Sequence, residues 1–227
     1  MIRLADGVYQ LESGGFVNSY LIAGQDLTLV DAGTDRGSAA LVSELKANGF
    51  SYNDVGRIVV THAHPDHAGG VAPLLAQRPV KVYAHPSEAA FLTGRAAMPR
   101  LKGLKGFLLE KGSGLFYPAR PVDNVMPAEP GAPVRGLSQW QVLHTPGHSA
   151  GSICLYEPVR QILLCGDLLE NRGGKLKPFP AWLQQDTGLL RVSLQKVARM
   201  DVDILGCGHG PVVRGGAFRH IEKLASA

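Results

Sequence analysis

Arg57-Ile58-Val59-Val60-Thr61-His62-Ala63-His64-Pro65-Asp66-His67 reads as an apolar strand that runs into a loop carrying four side chains able to bind a metal. A strand fixes the loop behind it, and the loop lets alternate side chains converge on one point. With 8 His in 227 residues, a His-x-His-x-Asp-His pattern should arise by chance in roughly five of ten thousand such chains. Three solvated surface histidines are therefore a poor account of this run.

Working outward, three further candidates follow other strand-like runs. His148 lies in His144-Thr145-Pro146-Gly147-His148-Ser149, Asp167 in Leu163-Leu164-Cys165-Gly166-Asp167, and His209 in Gly206-Cys207-Gly208-His209-Gly210. Each is flanked by glycine, which permits tight turns and close backbone approach. Taken together they supply five imidazoles and two carboxylates, about what two transition-metal ions need with water completing the shells. His85, His144 and His220 read as structural or supporting residues rather than ligands.

The framework around these loops begins with short β-rich runs at 8–12, 17–23 and 27–31, separated by Ser13-Gly14-Gly15 and Gly24-Gln25-Asp26. Helices are expected over 38–48, ending at Gly49, and over 71–77, 189–200 and 217–224; further strands over 57–60, 80–84, 139–144, 152–156, 161–165 and 202–205. Clustered strands with helices between them suggest two sheets with helices outside. The segment 86–135 reads as irregular. Hydrophobic residues at 45% and charged residues at 19% allow a packed core and exclude wholesale disorder. No apolar run nears the length of a membrane span, and the start shows no secretory pattern. Cys154, Cys165 and Cys207 lie in apolar stretches, which excludes a disulfide scaffold and suggests a cytoplasmic location. Their expected role is that of small apolar strand residues. A net charge of +4 allows an anionic small-molecule substrate without calling for nucleic acid.

Asp31, the THAHPDH run, His148, Asp167 and His209, in that order, resemble the metallo-β-lactamase superfamily of metal-dependent hydrolases. The resemblance spans about residues 8–213. It implies an α/β (α+β) fold: a four-layer αβ/βα sandwich of two mixed β-sheets flanked by helices, forming one domain over 1–227. It also implies that His62, His64 and His148 hold a first metal, that Asp66, His67 and His209 hold a second, and that Asp167 bridges them. Asp31 would orient the histidines. The implied cofactors are two divalent ions, zinc first, with iron or manganese as alternatives. The implied chemistry is hydrolysis by a metal-bound hydroxide, with Asp66 orienting that hydroxide and shuttling a proton.

The implied substrate is an ester-like bond: thioester, lactone or other carboxylic ester. An aspartate at the bridging position points away from the antibiotic-hydrolysing branch. Glyoxalase II is similar in its metal motifs, but Leu168-Leu169-Glu170-Asn171-Arg172 follows Asp167 where that enzyme has its Gly-Cys-Gly-Arg-Phe type stretch, and only 18 residues follow His209. Lactonases are similar too, with Glu170 in the region where several of them carry a tyrosine. Two alternatives stay open: a mononuclear iron enzyme resembling the persulfide dioxygenases, using His62, His148 and Asp167, and a phosphodiesterase or nuclease. Between Gly94 and Arg120, six cations (Arg95, Arg100, Lys102, Lys105, Lys111, Arg120) face one carboxylate, Glu110, with Phe107, Phe116 and Tyr117 interleaved. The insert that carries them, at about 86–135, is expected to cover the active site and attract acidic substrates. A homo-oligomer is compatible with all of this, and Trp182 is a further candidate wall.

Overall fold

The computed structural model describes residues 1–100, 103–108 and 120–226. Seven strands form one sheet in sequential order: β1 (Ile2–Ala5), β2 (Val8–Leu11), β3 (Ser19–Ile22), β4 (Leu27–Val30), β5 (Val55–Val59), β6 (Lys81–Ala84) and β7 (Val125–Pro127). The first four pair antiparallel through short turns. From β4 to β7 the pairing is parallel, which requires crossovers. These are supplied by α1 (Ser38–Ala47), then α2 (Pro65–Ala68) and α3 (Val71–Gln77), then α4 (Pro86–Leu92). A second sheet holds β8 (Gln141–His144), β9 (Ile153–Glu157), β10 (Ile162–Leu164) and β13 (Ile204–Gly206), in the order β13-β10-β9-β8. Only its β10–β13 pair is parallel. A hairpin of β11 (Glu170–Arg172) and β12 (Lys175–Lys177) stands apart. Helices α5 (Thr187–Val197) and α6 (Ala217–Ala225) follow in the last fifth of the chain.

The two-residue alternation of side chains builds the layers. In the first sheet Leu21, Leu29, Ile58 and Val60 face the outer helices and meet Leu41, Leu45, Val71 and Leu74. Their neighbours Tyr20, Ile22, Val30 and Val59 face inward. In the second sheet Val142, Leu155, Ile162 and Leu164 face inward around Trp140. Leu143, Cys154, Leu163 and Cys165 face outward onto Leu190, Leu194 and Ile221 of α5 and α6. Both sheets are thus covered on both faces, which explains why the central strands read as continuous apolar runs rather than alternating ones. The result is the expected four-layer αβ/βα sandwich of two mixed sheets.

The structure differs from the sequence expectation at several elements. β1 is an additional strand; its burial alternates weakly, with Ile2 and Arg3 exposed. α5 starts two residues early because the Asp186 side chain caps it, accepting from Leu189 N at 2.9 Å. The segment 86–135 is not wholly irregular: it holds α4, a helical run at 103–108 and the edge strand β7. It packs into the body through Leu92 and Val122 on one side and Ala128 and Val134 on the other. Lys102, Glu110, Lys111, Phe116 and Tyr117 of the basic insert lie outside the described residues. Arg120 is paired with Asp35 at 2.9 Å.

Candidate metal centre

All the candidate residues leave the ends of strands at one edge of the sandwich. Asp31 follows β4, the 61–64 loop and then Asp66 and His67 on α2 follow β5, His148 follows β8, Asp167 follows β10 and His209 follows β13. Hydrogen bonds tie this edge together across the two sheets. Ile153 N donates to Thr61 O at 3.0 Å, Tyr20 Oη to Cys207 O at 2.6 Å, and Asn18 Nδ2 to Cys207 O at 2.9 Å.

The seven side chains meet. His62, His64 and His148 form one trio, Asp66, His67 and His209 another, each with donor atoms within 4.8 Å of one another; His62, His67 and Asp167 form a third that links them. His148 Nε2 lies 2.9 Å from His64 Nδ1. Asp167 Oδ2 is 3.3 Å from His148 Nε2, 3.9 Å from His62 Nε2 and 3.5 Å from His209 Nε2, while its Oδ1 is 3.2 Å from His67 Nε2. Asp66 Oδ2 is 3.3 Å from His209 Nε2 and 3.8 Å from His67 Nε2.

The surrounding polar groups fix which ring nitrogen faces inward. The Asp31 carboxylate accepts from Thr61 N at 2.7 Å, from Thr61 Oγ1 at 2.8 Å and from His67 Nδ1 at 2.8 Å. The Thr61 hydroxyl spends its only proton on Asp31, so it accepts from His62 Nδ1 at 3.1 Å. His209 Nδ1 donates to Phe16 O at 2.8 Å. In all three rings Nε2 is left to face the centre. Asp31 adopts φ 59°, a left-handed conformation unusual outside glycine. Such strain persists where the surroundings hold it in place, as these three bonds do. Gly208 is required by close approach: a Cβ there would overlap the Asp167 carboxylate and lie 2.6 Å from His67 Cε1.

Electrostatics separate the rings into two kinds. Burial, aided by the charges of His67 and His64, holds His62 well below the usual histidine range. Burial likewise pushes His148 down to about 4, with His64 adding to it. Burial also disfavours the charge on His67, but Asp167, Asp66 and Asp31 outweigh it and raise this ring well above the usual range. His209 rises to about 9, its bonds to Asp167 and Asp66 overcoming burial. Burial would raise Asp66, yet the charge on His67 brings it down to about 2.

The donor set fits divalent cations. His62 Nε2 and Asp167 Oδ1 are buried with no hydrogen-bond partner, and His67 Nε2 and His209 Nε2 face each other at 3.4 Å with both Nδ1 protons already committed. Buried polar atoms ordinarily find partners, and neutral imidazole nitrogens with carboxylate oxygens are what zinc, iron or manganese accept. Burial raises the thiols of Cys165 and Cys154, so neither is a ready nucleophile.

Several side chains outside the donor set shape the centre. Glu88, Thr61, Asn18 and Tyr20 brace the loops, and two phenylalanines line the centre. Phe179 packs against His148 and His209 at ring separations of 5.3 and 5.4 Å, and Phe16 stacks on His209 at 5.8 Å. Trp182, half-buried, sits three residues beyond Phe179. His85 and His144 stack on each other at 4.2 Å away from the donor trios, and His220 is exposed on α6.

The family model of the metallo-beta-lactamase superfamily matches residues 13–209. The chain belongs to the metallo-beta-lactamase superfamily. It is 29% identical over 218 residues to the probable metallo-hydrolase YflN of Bacillus subtilis, covering 87% of this chain and 81% of that protein. It is 30% identical over 186 residues to the acyl-coenzyme A thioesterase MBLAC2 of Homo sapiens, covering 73% of this chain and 64% of that one. Among solved structures, the metallo-beta-lactamase family protein TTHA1429 from Thermus thermophilus superposes with TM-score 0.75 at 24% identity, over 99% of this chain and 80% of that one. TTHA1623, solved in a di-iron-bound form, gives TM-score 0.68 at 28% identity, over 92% of this chain and 93% of that one. Membership of this superfamily, together with relatives named metallo-hydrolase and acyl-coenzyme A thioesterase, makes the protein a metallo-hydrolase. Among the described residues, no helix is long and apolar enough to cross a membrane.

Proposed function

We propose that the protein hydrolyses an ester-like bond, with an acyl thioester as the leading candidate, using two divalent metal ions. The observation that carries this reading is the pair of complete donor trios joined through Asp167. In this reading His62, His64 and His148 hold one ion, Asp66, His67 and His209 hold the other, and Asp167 bridges. Bound there, the ions would lower the pKa of a water and polarise the scissile carbonyl.

The protein's own groups do the rest. Asp66, 26% exposed against 3% and 4% for Asp31 and Asp167, is the carboxylate that reaches the mouth of the site. It is placed to orient the attacking water and carry a proton to the leaving group. Phe16 and Phe179 give the mouth apolar walls that favour an acyl chain and keep bulk water away. The β11–β12 hairpin, joined to the His209 loop by Asn171 N donating to His209 O at 3.0 Å, carries Arg172, Lys175 and Lys177, of which Arg172 and Lys177 pair with Glu170. It would draw in an anionic substrate. The thioesterase relative supports the thioester class, and the di-iron neighbour keeps iron beside zinc as the metal. Metal quantification on the purified chain, with a panel of acyl-thioester, lactone and phosphodiester substrates, tests the reading. Two ions per chain and preferential thioester turnover support it; a chain without metal after reconstitution, or turnover of the phosphodiester alone, overturns it.

A further inference from the structure

We propose that Glu88 is a positioning residue for the first donor trio: its buried carboxylate sets the spacing between the His62–His64 loop and the His148 loop. The proposal rests on the two-metal reading of the site. Glu88 lies in the first turn of α4 and is fully buried. A buried carboxylate is costly unless its oxygens are satisfied. Here Oε2 accepts from Ala63 N at 2.8 Å, and Oε1 accepts from Ser149 Oγ and Gly151 N, both at 2.8 Å.

The placement of those donors matters. Ala63 stands between His62 and His64, so holding its N–H fixes the backbone from which both rings project. Ser149 follows His148 directly. One side chain therefore clamps two loops that belong to different sheets and carry all three donors of the trio. The loops meet where His148 Nε2 and His64 Nδ1 stand 2.9 Å apart, a spacing that metal chemistry tolerates to only about 0.5 Å.

A second contact from the same helix reinforces the clamp. His85, whose side chain accepts from Ser87 N at the start of α4, stacks on His144 at 4.2 Å and 8°. His144 Nε2 in turn donates to Ala150 O at 2.9 Å, inside the His148 loop. The glycine at 151 fits the same account. A Cβ there would lie 2.7 Å from Glu88 Cγ and Oε1 and 3.0 Å from His85 Nδ1, so any larger residue would push the carboxylate off its partners.

Glu88→Gln keeps the shape but turns one acceptor into a donor, which must then face either Ala63 N or the Ser149 and Gly151 donors. The test strips the full-length chain of metal and titrates it with Co(II), reading the visible spectrum and the affinity. A His209→Ala background isolates the first trio, and a His62→Ala background isolates the second. E88Q is expected to weaken Co(II) about tenfold or more in the first background and to change it less than about twofold in the second. Equal weakening in both, or unchanged affinity and spectrum in the first, would overturn the proposal, since a merely stabilising residue would not discriminate between trios. Should E88Q not fold, Ser149→Ala, which removes one of the three donors, is read in the same way with the same selective loss expected. A wild-type chain that binds no Co(II) would remove the metal reading itself, and this proposal with it.

Discussion

Replacing Asp31 with asparagine changes one atom and should disable an ion that Asp31 never touches. The Asp31 carboxylate accepts three hydrogen bonds: from Thr61 N at 2.7 Å, Thr61 Oγ1 at 2.8 Å and His67 Nδ1 at 2.8 Å. Asparagine can keep the first through its carbonyl, and it tolerates φ near 59° better than most residues. Its amide nitrogen then faces the Thr61 hydroxyl and His67 Nδ1 as a donor facing donors. The least costly escape is for His67 to shift its proton to Nε2, the atom that points at Asp167 and His209. A protonated nitrogen cannot ligate, and loss of such a supporting bond costs about 10- to 100-fold in metal affinity, or roughly 1.4–2.7 kcal/mol. The second ion should therefore weaken by that factor while the first trio, whose rings Asp31 reaches only through Thr61, holds its ion. Competition against a graded series of chelators measures both affinities. Two ions held as tightly as in the wild-type protein would refute the argument that Asp31 acts by fixing the His67 tautomer.

Asp167→Asn removes the carboxylate shared by both trios; metal content should fall and turnover drop about 100-fold or more, near 2.7 kcal/mol of transition-state stabilisation, with the circular dichroism spectrum kept. Full activity in that variant would dismiss the proposed bridge. Metal uptake at pH 7.5 should release about two protons, because His67 is raised well above the usual range and His209 to about 9, and both must become neutral to ligate. Calorimetry in buffers of different ionisation enthalpy reads this directly, and identical heats in all buffers would contradict it. The metal-free protein should be most stable near pH 6.5. His209, raised to about 9, contributes stability that is complete below its unfolded value and is lost as pH rises through 9; His148, lowered to about 4, costs stability as pH falls from 6.5 towards 4, because only the unfolded chain then takes up the proton. A melting temperature flat between pH 4 and 9 would count against the assigned protonation states.

The strands that matter were legible for a simple reason. Ile58 and Val60 serve one core and Val59 another, so the run is apolar throughout and stands out without any period. The donor loops were legible because histidine and aspartate at close spacing after a strand are rare by chance, and their seven side chains do converge. What stayed hidden was short, polar or far away. β1 and β12 are mostly exposed, and β11 buries the polar Glu170 and Asn171, so none of the three leaves an apolar pattern. Glu88 and Asn18 look like ordinary surface residues in the chain. Glu88 is marked by partners 25, 61 and 63 positions distant, and Asn18 by a carbonyl 189 positions away. Phe179 and Trp182 share one short stretch, and nothing local tells which aromatic ring turns towards the histidines.

The donors are divided between the two halves of the sandwich: His62, His64, Asp66 and His67 follow a strand of the seven-stranded sheet, and His148, Asp167 and His209 follow strands of the four-stranded one. An ion seated among them would act as a rivet driven through both plates. Arg160, in the turn between β9 and β10, already donates to Asp6 O in the turn between β1 and β2, so with the ion in place the plates would be pinned at both rims.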